Sequence, residues 1–149
     1  MTGIPQLSDD ALADLNLVRD GTGYRIVWGA DANIYAMTLG RHLGPESRDR
    51  PALIFEQADG PLITMTFADV DRAAKSLAAT LRALGYGRGD RIGLHTGQHP
   101  DTAVAHMAIA LLGGVAVTLS QLYGPETLAH AMQDSRTRVL LTGDPAWAS

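Results

Sequence analysis

This chain of 149 residues contains no cysteine, which removes disulfides, thiol nucleophiles and cysteine-ligated zinc from consideration. Lysine is nearly absent too: Lys75 is the only one, so a phosphate-gripping lysine has a single candidate. No block of like charge occurs and the formal net charge is −4, which excludes a nucleic-acid or anionic-membrane surface built on a basic patch. The first residues, Met1-Thr-Gly-Ile-Pro-Gln-Leu-Ser-Asp-Asp10, carry neither the basic region nor the apolar run of a secretory signal. The expected location is therefore the cytoplasm. The longest apolar run, Ala103 to Leu119, is interrupted by His106, Gly113, Gly114 and Thr118, and predicts no membrane span. A Gly-x-x-x-x-Gly-Lys-Ser/Thr loop and a Gly-x-Ser-x-Gly elbow are both missing, as are internal repeats and low-complexity segments.

What is present has two rhythms. Residues 1–44 read as a helical arm. Ser8 or Asp9 caps a helix carrying Leu12, Leu15 and Val18, ended by Gly21 and Gly23. Tyr24 to Trp28 reads as a short extended link. Asp31 is then the expected cap of a second helix, with Ile34, Met37 and Leu39 apolar. Gly44 to Pro51 is polar and reads as a loop.

From residue 51 to 149 strands alternate with helices. Ala52–Glu56 and Leu62–Met65 flank Ala58-Asp59-Gly60-Pro61, a hairpin signal because Asp-Gly tolerates the dihedrals of a tight turn. Thr66 caps the next helix with Asp69 near its positive end. Phe67, Val70, Ala74, Leu77, Leu81 and Leu84 recur at steps of three and four, one apolar stripe, leaving Asp71, Lys75 and Arg82 for water. Arg91–Leu94 reads as a strand. Pro100 opens a helix whose interior to Leu112 is apolar on nearly all sides except His106, which predicts that other elements cover it. Val115–Leu119, a helix from Pro125 through Met132 and a strand Val139–Leu141 complete the pattern. The expected fold class is α/β, with a mainly parallel sheet preceded by a β-hairpin and the helical arm.

The candidate chemistry is thin. Gly85, Gly87 and Gly89 tempt a dinucleotide-loop reading, but that loop needs a strand before it and a helix after it. Here the order is reversed, so a helix cap and turn are expected. His95, His99 and His106 fall on three different predicted elements with no carboxylate at a metal-binding spacing, and His42 has no evident partner. Lys75 follows Asp71 by four residues, the spacing of a surface ion pair. Neither catalytic nor metal-ligating residues are therefore assigned.

A resemblance rests on several segments in order. Phe67-Ala-Asp-Val70, Gly89-Asp-Arg-Ile92, Leu112-Gly-Gly-Val-Ala-Val117 and Ser120-Gln-Leu-Tyr-Gly-Pro-Glu126 together resemble the start of the large domain of AMP-forming acyl-CoA synthetases. That adenylate-forming family also includes luciferases and peptide-synthetase adenylation domains. The resemblance covers roughly Pro51 to Asp144, and more loosely residues 24–44. Departures are Asp69 and Val70 where the family has Glu and Leu, Thr96-Gly-Gln-His-Pro-Asp101 before the buried helix, and Leu122 where an arginine or glycine occurs.

The resemblance implies a parent that uses ATP, Mg and CoA to turn a carboxylic acid, such as a fatty acid, into an acyl-CoA through an acyl-adenylate. Its Gly-rich phosphate loop with Pro-Lys-Gly, its acidic ATP and magnesium site and its catalytic lysine have no counterpart among these residues. The implied reading is an N-terminal fragment inactive alone, needing no cofactor of its own. Its partners would be the missing remainder of the parent or a second copy bound through exposed apolar surface. Tyr123 and Gly124 fall near the CoA entrance by the same resemblance. The alternatives are a stand-alone binding or interaction domain, or a complete nucleotide-binding α/β domain.

Overall fold

The computed structural model describes residues 6–29, 32–56 and 60–143, which fall into two compact units divided between Ala32 and Asn33. In the first unit, α1 (Asp9–Asp14) starts where Ser8 Oγ accepts the Ala11 N–H at 3.2 Å. Strands β1 (Leu17–Asp20) and β2 (Gly23–Ile26) pair antiparallel, from Leu17 opposite Ile26 to Asp20 opposite Gly23.

The expected helix through Val18 is thus shorter than its apolar spacing suggested. Asn16 adopts φ 53, a left-handed conformation that asparagine tolerates, and the chain reverses there. Its carbonyl then accepts the Val27 N–H at 2.7 Å. Val18 and Tyr24 gain cross-strand neighbours that a helix would not offer. Arg19 binds this unit together, donating to Gln6 Oε1 and the Leu7 carbonyl at 2.9 Å each, and lying 5.9 Å from the Tyr24 ring centre.

The second unit opens with α2 (Ile34–Thr38), followed by a short 3-10 turn, Gly40–His42. The cap is Asn33, whose Oδ1 accepts from Tyr35 N–H at 2.8 Å and Ala36 N–H at 3.4 Å. Asp31, the cap expected from the sequence, lies outside the described residues. Strands β3 (Pro51–Phe55) and β4 (Ile63–Thr66) form an antiparallel hairpin with an irregularity between Pro51 and Leu53. The predicted turn residues Ala58 and Asp59 also lie outside the described residues.

Helix α3 (Phe67–Ala83) begins with a reciprocal cap: Thr66 Oγ1 accepts the Asp69 N–H at 3.1 Å, and Asp69 Oδ2 accepts the Thr66 N–H at 3.0 Å. The Thr66 hydroxyl, which donates to Asp69 Oδ2 at 2.7 Å, and then the Thr66 N–H hold the Asp69 carboxyl below its ordinary range. Val70, Ala74, Ala78 and Leu81 form its buried stripe. Leu84 belonged to the expected stripe but is 66% exposed, because it sits past the last helical residue where the chain already turns away. Gly85 takes φ 89 and Tyr86 N–H reaches back to the Leu81 carbonyl at 3.0 Å, closing the helix. The Gly85–Gly89 run is therefore cap and turn, with Asp90 Oδ2 accepting the Gly87 N–H at 2.7 Å.

Strand β5 (Arg91–His95), helix α4 (Pro100–Leu112), strand β6 (Val115–Thr118), helix α5 (Pro125–Asp134) and strand β7 (Val139–Thr142) follow in order. The three strands form a parallel sheet in the order β6-β5-β7, with Arg91 opposite Val115 and Ile92 opposite Val139. The α/β class with a parallel sheet, a preceding hairpin and an N-terminal helix is what the alternation predicted.

The core lies around α4, which packs on α2, α3, β5 and β6. Ile92 and Leu94 from β5 meet Val104, Ala108, Ile109 and Leu112 from α4 in one buried cluster with the α3 stripe. Packing against these four elements explains why α4 is apolar around most of its circumference. None of the described helices is long and apolar enough to cross a membrane.

Candidate functional site

In a parallel sheet every strand ends at the same rim, and the loops leaving that rim converge. Ligands of open α/β sheets bind outside these carboxyl ends. Here a cleft of about 730 Å³ lies at that rim. One wall is Leu53, Ile54 and Phe55 of β3. The other is the Thr96–His99 loop after β5, with Pro100, Thr102, Ala103 and His106 of α4. Its far side is the end of β6 and the turn Ser120–Leu122.

Each wall has a local cause. The loop after β5 is pinned by Thr102, whose Oγ1 donates to the Gly97 carbonyl at 2.7 Å and lies 2.9 Å from Thr96 Oγ1. At Gly97 a Cβ would fall 2.7 Å from Gln121 Oε1, so the Gln121 amide packs where a side chain would stand and would have to swing aside for a larger residue. The turn after β6 is held by Ser120, whose Oγ accepts the Leu122 N–H at 3.2 Å and whose carbonyl accepts the Tyr123 N–H at 3.0 Å.

The start of α4 is anchored by an unusual residue. His99 is the cap, its Nδ1 accepting the Asp101 N–H at 3.3 Å, and the same nitrogen lies 3.0 Å from Asp101 Oδ2. The ring also meets Phe55 edge-on, with centroids 5.5 Å apart. Imidazole thus replaces the Asn or Ser expected at such a position.

The remaining sequence candidates scatter. His95 is buried at the end of β5, and His106 lines the cleft two turns into α4. His42 stacks on Phe67 at 4.5 Å between centroids. No group of three or more His, Asp or Glu able to hold a metal occurs among the described residues. Leu122 is 94% exposed at the cleft edge. Tyr123 and Gly124 lie just beyond it, where Gly124 precedes α5 and its carbonyl accepts the Leu128 N–H at 2.9 Å.

Lys75 pairs with Asp71 at 2.8 Å as its spacing predicted. Sequence reasoning missed the third member: the Tyr35 hydroxyl also donates to Asp71, on Oδ1. Burial, then the Asp71 carboxylate, pushes the Tyr35 phenol up, and the bond to Asp71 raises Lys75. No local signal reveals a pair 36 residues apart. Lys75 does not line the cleft, and neither lysine nor arginine is among the cleft-lining residues. Those residues therefore do not fit a triphosphate, which needs fixed cations or a metal.

Comparison with known proteins adds the identity of this scaffold. Residues 42–149 match the AMP-binding enzyme family. Acetyl-coenzyme A synthetase of Sodalis glossinidius is 33% identical over 132 residues, 87% of this chain and 20% of the relative. The crystal structure of Brucella canis acyl-CoA synthetase superposes with TM-score 0.69 at 20% identity, over 74% of this chain and 20% of that one. The anthranilate CoA ligase AuaEII, in complex with anthranoyl-AMP, gives TM-score 0.68 at 28% identity, over 77% and 21%. The chain spans about a fifth of the length of the curated relatives it matches. On the match over residues 42–149, the chain belongs to the AMP-binding enzyme family.

Proposed function

We propose that these residues form the N-terminal part of the large domain of an AMP-forming acyl-CoA synthetase and have no ligase activity alone. The single observation behind the second half is the cleft lining, which offers no lysine, arginine or acidic side chain. In-line transfer at the α-phosphate of ATP is driven by positioning and by fixed positive charge, and these walls supply neither. The relatives' names, acetyl-CoA synthetase and anthranilate CoA ligase bound to its acyl-adenylate, support carboxylate activation with ATP, Mg and CoA in the whole enzyme. No step of that reaction is assigned to a residue here.

Within this reading, residues 1–44 are an arm and residues 51–149 an incomplete α/β subdomain of a cytoplasmic enzyme. Tyr123 and Gly124 sit near the entrance for CoA. The remainder of the enzyme is the natural cover for Ile54, Leu62 and Val115, all exposed. The test is carboxylate-dependent pyrophosphate release from ATP and Mg by the purified chain, with a whole acetyl-CoA synthetase run alongside. The expected result is release at the level of the blank, while release that depends on carboxylate overturns the proposal. A monomer that binds one small molecule tightly, without pyrophosphate release, would instead make the chain a binding module.

A further inference from the structure

Helices α3, α4 and α5 each end just before a strand begins, so their carboxyl ends gather at the amino rim of the parallel sheet, opposite the cleft. Arg82 lies in the last turn of α3, Arg88 in the turn before β5, and Arg91 opens β5. Arg136 and Arg138 lie between α5 and β7. All five are exposed, and their side chains make no hydrogen bond or ion pair with another described residue. By contrast Arg19, Arg25, Arg48 and Arg72 each meet an aspartate at 3.1 to 3.7 Å.

Helix carboxyl ends carry partial negative charge and attract cations, which accounts for some arginine at this rim. It does not account for two details. Ile92 pairs with Val139, so the residues before them, Arg91 and Arg138, enter neighbouring strands at one level, about 4.8 Å apart. Like charges so placed repel. The acids nearby do not separate them: Asp90 accepts the Gly87 N–H at 2.7 Å, and Asp134 pairs with neither arginine. The second detail is Arg136, which takes φ 55 in the turn that closes α5. There the Arg136 N–H reaches the Gln133 carbonyl at 3.0 Å and the Thr137 N–H the Met132 carbonyl at 2.8 Å. Glycine is the ordinary residue of that turn, so arginine is held there at a conformational cost.

We propose that this rim is a docking surface for an acidic segment of a separate protein. Guanidinium forks take carboxylates at two points each. The arginines are strung along two connections, α3 to β5 and α5 to β7, an arrangement that suits several carboxylates in a row rather than one small anion. Leu84, 66% exposed between Arg82 and Arg88, adds an apolar contact. Arginine beside apolar side chains, with no lysine, is the composition of protein interfaces. A net charge of −4 repels a long polyanion such as nucleic acid. A symmetric second copy would set arginine against arginine.

The experiment follows the fluorescence anisotropy of a labelled glutamate-rich peptide titrated with the 149-residue protein. Binding is expected at low salt and lost near 1 M, where the screening length falls to about 3 Å. Neutralising the adjacent pair, Arg91→Gln with Arg138→Gln, should weaken it at least about tenfold by removing two charge-assisted contacts. Arg25→Gln, whose partner is Asp20 in the other unit, should leave it unchanged. Arg136→Gly separates docking from structure: it should weaken binding and yet raise the urea midpoint, because glycine takes φ 55 without strain. Absent or salt-insensitive binding overturns the proposal, as does full binding by the paired variant. So does tighter binding of a DNA oligonucleotide of equal charge, or a lower urea midpoint for Arg136→Gly. None of these readouts depends on ligase activity.

Discussion

Leu81 and Leu84 are both leucines, three positions apart, one in the last turn of α3 and one just past its end, and the structure gives them opposite weights. Leu81 is 1% exposed in the core cluster shared with α4, and Leu84 is 66% exposed. Truncating a buried leucine loses the transfer free energy of its side chain and leaves a cavity that the surroundings fill only in part, together about 2–5 kcal/mol. The upper half of that range is expected for Leu81→Ala, because Ala74, Ala78, Ala105 and Ala108 in the same cluster have no side-chain length with which to refill the space. Leu84→Ala should cost less than about 1 kcal/mol, since most of its surface already meets water. With a urea dependence of roughly 1–3 kcal/mol per molar, the Leu81 variant should unfold at least about 1 M earlier than wild type, and the Leu84 variant should shift by less than about a third as much as the Leu81 variant. Equilibrium urea unfolding followed by far-UV circular dichroism measures both. Equal shifts for the two variants would refute the placement of the α3 stripe.

Other consequences follow from the bonds between elements. Asn33 caps α2 and also donates from Nδ2 to the Ala110 carbonyl of α4 at 2.7 Å, so Asn33→Ala should cost roughly 1–3 kcal/mol in the same assay. A loss no larger than that of a surface substitution would show that the tie to α4 carries no energy. Tyr35 has a phenol raised in the folded state, so its contribution is complete below about pH 10, the unfolded value, and is lost as pH rises through the folded one. Lys75, also raised, acts with the same sign. Tyr35→Phe should be less stable than wild type near neutrality and lose less between pH 9 and 11. Parallel curves for the two proteins would count against the Tyr35–Asp71 bond.

Residues whose signal is local were legible in the sequence. Thr66 with Asp69, Pro100 before an apolar run, and Gly85 after a stripe are caps and stops whose partners lie within a few residues. Lys75 and Asp71 pair because a helix puts positions four apart on one side. Val18 shows the limit: its spacing from Leu12 and Leu15 satisfies a helix, and only the pairing with Arg25 on β2 makes it a strand.

Composition and local pattern alone determined that this chain lacks thiol chemistry, a lysine-bearing phosphate loop and a membrane-spanning run, and that its strands alternate with helices. Only the tertiary structure decided which residues meet across distance. Tyr35 finds Asp71, Asn33 finds Ala110, and the Gln121 amide fills the space at Gly97. It also decided that His99 and Phe55, far apart along the chain, face each other over one cleft. The physical reason is that caps and helical pairs are settled by bonds within a turn. A cleft wall forms only when strands from separate segments take their register and bring their loops to one rim.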